Sequence, residues 1–170
     1  MSAKKRTTAL TVVTVVVMSA FATTGDIKAA ADPSPEEAQA LVEGRQSHMR
    51  EHAVAFYNLA NYLKAGEPHS PAALNDAREF LANTQEMKSW FRPGTGPSPS
   101  LATAARPEIW QRPEEFKRYR EALAREAQKL VDAVQAEDLT KAKQQYNATG
   151  EVCNACHAQF RAEQRIEKFP

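Results

Sequence analysis

From Ser34 to Phe160 the apolar residues recur at alternating steps of three and four, and no stretch alternates at steps of two, so the pattern predicts helices throughout. Ser34 followed by Pro35, with Glu36 and Glu37 in the first turn, marks a helix start, and Gly66 marks its stop. Along this first segment Val42, Arg45, Met49, His52, Phe56, Leu59 and Leu63 form one seam of the kind that packs helices into bundles. Ser70-Pro71 repeats the start signal and opens a second helix, with Leu74, Ala77, Leu81 and Thr84 expected inward and a fade near Met87 to Trp90. A third helix begins at Pro113 and turns Phe116, Tyr119, Leu123, Ala127, Leu130 and Val134 inward. Asp138 caps a fourth, whose seam runs through Leu139, Ala142, Tyr146, Thr149, Cys153, Cys156 and Phe160.

Pro93, Gly94, Gly96, Pro97, Pro99 and Pro107 break the pattern over residues 91–107, which read as a linker. Gly94-Thr95-Gly96 within it lacks the preceding strand and following helix of a dinucleotide loop. Four helices joined by two short connections and one long one predict an all-α fold, an antiparallel four-helix bundle.

The first thirty-one residues follow a different rule. Lys4, Lys5 and Arg6 precede an apolar run from Ala9 to Ala22, the layout of a secretory signal peptide, and the run is too short and too broken by threonine to favour stable membrane insertion. Small residues at Ala20/Ala22 and at Ala29/Ala31 offer two cleavage sites, of which the second leaves residues 32–170 as the mature domain. Removing residues 1–31 takes away four cations and one anion, so the formal charge falls from +1 to −2. A mildly acidic exported chain argues against nucleic acid and anionic membrane as partners.

Cysteine usage turns this helical chain into a chemical one. The two cysteines of the sequence both fall in Cys153-Asn154-Ala155-Cys156-His157, and C-x-x-C-H is the attachment signature of a c-type haem. On a helix, positions i, i+3 and i+4 share a face, so two thiols can reach the two vinyl groups while the imidazole rises beneath the iron. A redox C-x-x-C pair and half of a zinc site are the competing readings. Against them, no strand-helix pattern of a thioredoxin unit surrounds the motif and no second Cys/His pair has finger spacing. The haem is expected between helices, near one end of the core, and its attachment outside the cytoplasm places the chain in the periplasm of a Gram-negative bacterium.

The run from Cys153 to Arg161 (C-x-x-C-H-x-x-F-R) near the C-terminus resembles the class II cytochromes c, the cytochrome c-prime group and its low-spin relatives. Arg45-Gln46-Ser47, Lys64 to Pro68, and Ala105-Arg106-Pro107-Glu108-Ile109-Trp110 resemble further segments of that family, so the likeness covers residues 36 to 165. It implies an up-down-up-down bundle, of which cytochrome c′ is a known instance. It also implies His157 as one axial ligand and raises the question of the other. High-spin members carry a non-ligating side chain four residues after the arginine of helix one. Low-spin members are similar to this sequence in carrying a methionine, here Met49. The implied function is a periplasmic one-electron carrier working with redox partner proteins and not an enzyme. A high-spin protein that binds NO or CO at an open distal site is the alternative.

Other seam residues bear on that choice. A thioether favours ferrous iron, whereas Met49 as plain packing is the ordinary fate of methionine on an apolar stripe. His48 lies off the seam. His52 lies on it, where it would serve either as a competing ligand or as a solvated or hydrogen-bonded histidine. Arg45 stands one turn before Met49, either as a cofactor-binding residue paired with a haem propionate or as a solvated surface charge. Arg161 follows His157 by one turn and is placed to shield it. Neither His69 nor Met87 receives a role. The family likeness further implies a homodimer through helices one and two, with Tyr57 and Tyr62 supplying aromatic contact.

Overall fold

Ser34 starts the first helix as its sequence suggests. Its hydroxyl accepts from the Glu37 amide at 3.3 Å, and its own amide donates to the Glu37 carboxylate at 2.8 Å, a reciprocal cap for two donors that the helix leaves unpaired. The computed structural model describes residues 32–162; the expected signal segment and its cleavage at Ala31 lie outside the described residues. Five α-helices make up the described fold, α1 (Pro35–Ala65), α2 (Pro71–Glu86), α3 (Glu108–Gln111), α4 (Pro113–Gln135) and α5 (Leu139–Phe160), with a 3-10 turn at Met87–Ser89 after α2. Gly66 closes α1 at φ +79°, a left-handed conformation that costs glycine nothing, and returns its amide to the Tyr62 carbonyl.

The four long helices form the antiparallel bundle, with α1 on α2, α2 on α4, and α4 on α5 in extensive contact. Its floor is Leu59, Leu63, Ala73, Ala77, Leu130, Val134 and Ala142, and its middle is Ala55, Phe80, Met87, Trp90, Leu123 and Ala127. Contact between α1 and α5 is much thinner. It is made by Phe56 and Tyr146, whose rings stack 4.1 Å apart at 10°.

Three expectations need correction. The buried stripe of α2 is Ala73, Ala77, Phe80 and Thr84, one position round from the expected Leu74 and Leu81, which are half-buried. The larger ring of Phe80 takes the centre, and the leucines cover its flank. Ser70 precedes α2 without a side-chain cap, so Pro71 alone supplies its start signal. The expected linker also contains the single-turn helix α3, seated through buried Ile109 against Phe116 and Phe160.

Arg45 explains how a proline-rich linker is held. It is buried, not solvated, and its four terminal N–H groups go to the Trp90 carbonyl (3.5 Å), Thr95 Oγ1 (2.9 Å), the Thr95 carbonyl (3.0 Å) and Thr103 Oγ1 (2.9 Å). The guanidinium lies over Phe91 at 5.0 Å and Trp110 at 5.9 Å. Burial pulls its pKa down to about 10, which leaves it charged at neutral pH. With its terminal donors on Trp90, Thr95 and Thr103, Arg45 is not the solvated surface charge and fastens the linker to α1. Arg45→Ala should cost about 3 kcal/mol of stability, the scale for orphaning buried partners of a charged donor, in urea unfolding of the haem-loaded protein. Arg45→Lys should restore less than half of that loss, because an ammonium cannot reproduce the fork. A shifted haem potential with unchanged stability would return Arg45 to the propionate.

Candidate haem site

The antiparallel register across the thin seam follows from one contact. Phe56 meets Tyr146, so Met49, seven residues earlier on α1, and Cys153, seven residues later on α5, both lie about 10 Å further along. They come level with each other. Both pack against the cluster around Phe80, together with Val152 and Phe91. Cys156 packs instead against the aromatic group of Phe116, Phe160, Trp110 and Tyr119, at the end of the bundle where α5 finishes. The linker locks that end: the Arg106 amide donates to the Phe160 carbonyl at 2.9 Å, and the Ala162 amide to the Ala104 carbonyl at 2.8 Å.

The sulfurs are free thiols, half-buried on one face of α5, and burial pushes both up to about 11. A redox C-x-x-C pair needs the opposite, a thiol lowered by a helix N-terminus or a neighbouring cation. Zinc is equally ill served, since among the described residues no group of three His, Cys, Asp or Glu side chains converges. His157 lies at the exposed margin of the same face, and partial burial, with the Arg161 guanidinium second, holds its imidazole below the ordinary value. It is therefore neutral at pH 7, the form that ligates a metal.

His52 does not take the solvated or hydrogen-bonded role weighed for it. It is neither solvated nor hydrogen-bonded: only 8 % of it is exposed, its ring stacks on Phe80 at 4.0 Å, and neither ring nitrogen has a hydrogen-bond partner among the described residues. Burial, and secondarily His157 across the seam, lowers its pKa to about 4. The seam periodicity had marked His52 for burial, but polarity argued for solvent. His48, by contrast, lies half-exposed with its ring stacked 5.0 Å from Trp90.

These residues fit a haem c. Two thiols and a neutral imidazole share one helical face, a thioether stands level with them on α1, and aromatic and aliphatic side chains line the seam where α1 and α5 make little contact. Bundle and motif together define a c-type cytochrome of the helical-bundle class. The sequence profile of the cytochrome c′ family matches residues 40–161, and the chain belongs to that family.

The chain is 32% identical over 134 residues to the cytochrome c′ of Alcaligenes xylosoxydans xylosoxydans, with 75% of this chain and 94% of the relative aligned. A nitric oxide complex of a cytochrome c prime variant from Alcaligenes xylosoxidans superposes with TM-score 0.65 at 29% identity, covering 76% of this chain and 98% of that one. Cytochrome c′ from Thermochromatium tepidum shares the fold at TM-score 0.65 and 24% identity, covering 78% and 100% of the two chains. The protein is thus a haem c cytochrome with one covalently attached haem. Among the described residues no helix is long and apolar enough to cross a membrane.

Proposed function

We propose that the chain is a periplasmic one-electron carrier, freed of residues 1–31 and serving redox partner proteins. In this reading Cys153 and Cys156 hold the haem by two thioethers, and His157 and Met49 are its axial ligands. Haem c supplies a ferric/ferrous couple. The protein's residues do the rest: Phe80, Phe91 and Val152 exclude water, and His157 gives a neutral nitrogen from one side. The Met49 sulfur, as the second ligand, would favour the ferrous state and close the iron to outside ligands.

The observation that carries this reading is the level placement of Met49 and Cys153 against one apolar cluster. Absorption spectroscopy tests it. The ferric protein should be low-spin with a far-red sulfur-to-iron band, and the ferrous protein should bind carbon monoxide slowly. A high-spin ferric spectrum and immediate binding of carbon monoxide would establish the second reading, a gas-binding haem protein, which is supported by the nitric oxide complex of a relative.

Association is part of the proposal. Val54 and Tyr57, three residues apart on α1, are 58% and 65% exposed, whereas Tyr62 is half-buried against the floor of the core. A homodimer through α1 and α2 would bury the exposed pair. Sedimentation over a concentration series should give the dimer mass for wild type and the monomer mass for Tyr57→Glu.

A further inference from the structure

A histidine with 92 % of its surface buried and both nitrogens unpaired among the described residues is a costly choice for a bundle core, because an orphaned buried polar group destabilises by about 1–3 kcal/mol. Leucine or phenylalanine at the same seam position would pack on Phe80 without that cost. The ring sits one helical turn from Met49 on α1, against the Phe80 cluster that Met49 and Cys153 also touch. Thus the unpaired nitrogens belong to the seam that the haem reading fills.

We propose that His52 is a reserve distal ligand, which takes the iron's sixth position through an imidazole nitrogen whenever the Met49 sulfur is off it. This rests on the haem reading above. The exchange is redox-neutral: a sulfur-iron bond is replaced by a nitrogen-iron bond, the lone pair comes from neutral imidazole, and the second nitrogen keeps its proton. Imidazole is the harder donor and suits ferric iron, whereas the thioether suits ferrous iron. Two ligands one turn apart on a single helix would keep the iron six-coordinate and closed to small gases in both oxidation states. Phe80, stacked on the ring, orients His52 but does not ligate.

The test compares haem-loaded Met49→Leu with the double variants Met49→Leu/His52→Ala and Met49→Leu/His52→Phe. The phenylalanine variant preserves the stack on Phe80 if the alanine variant folds poorly. Electron paramagnetic resonance of the ferric proteins should show Met49→Leu still low-spin, without the sulfur band, and both double variants high-spin. Ferrous Met49→Leu should bind carbon monoxide at least tenfold more slowly than either double variant. A high-spin Met49→Leu that binds carbon monoxide as fast as the double variants overturns the role of His52 and leaves Met49 as ligand. A Met49→Leu that retains the full wild-type spectrum removes Met49 from the iron, and the reserve role falls with it.

Discussion

Replacing both Cys153 and Cys156 by alanine should convert a haem that stays with the denatured polypeptide into one that extracts freely in acidified acetone. In the proposed attachment the thioethers hold the group by covalent bonds, whereas the double variant would keep only His157, Met49 and the apolar walls. The folded protein should suffer with the site, because α1 and α5 touch chiefly through Phe56 and Tyr146 and the remaining wall of Phe80, Phe91 and Val152 would face solvent or collapse. A loss of about 5 kcal/mol is expected for the haem-free chain, on the scale of the largest core truncations, and corresponds to a Tm lower by roughly 10–20 °C. Calorimetry of haem-loaded and haem-free protein measures it. Equal stability of the two forms would mean that the bundle closes the seam unaided.

Met49→Leu separates chemistry from packing most sharply. Leucine nearly conserves the volume, so the substitution should change unfolding free energy by less than ~1.5 kcal/mol. It offers the iron no lone pair. The far-red sulfur band should vanish, and the potential should fall by on the order of 100 mV, a modest part of the roughly 0.8 V range that axial ligands control. Spectra and potentiometry of the variant and wild type decide the matter. An unchanged potential would make Met49 a packing residue.

How much of this could be read from the residues alone depended on which force set each position. The helices were legible because burial imposes a period that Val42, Leu59, Leu130 and Ala142 display directly, and Ser34, Pro71, Pro113 and Asp138 mark their starts. The motif from Cys153 to His157 was legible because its chemistry fixes its spacing. The burial of Arg45 and His52 was not legible for one reason. Polar residues on an apolar seam carry a solvent reading, yet Arg45 found acceptors on Trp90, Thr95 and Thr103, about fifty residues away, and His52 was buried with no partner among the described residues. Such pairings are tertiary, and no local pattern announces them. The rotation of α2 by one position has a similar origin, since an alternation of three and four cannot choose between Phe80 and Leu81 until a neighbouring ring does so.

The seam that Phe56 and Tyr146 align joins the two ends of the chain, with Met49 in its first helix and His157 in its last. Order of assembly follows from that. The three groups on α5 lie within five residues and are fixed relative to each other as soon as one helical segment forms, whereas Met49 and His52 reach them only by closing a loop of roughly a hundred residues, a slow and entropically unfavourable event. Attachment can therefore precede folding. The haem, once tethered to the last helix, would be a large apolar nucleus for the bundle to close around, and in the proposed ligation arrival of α1 would complete the coordination sphere.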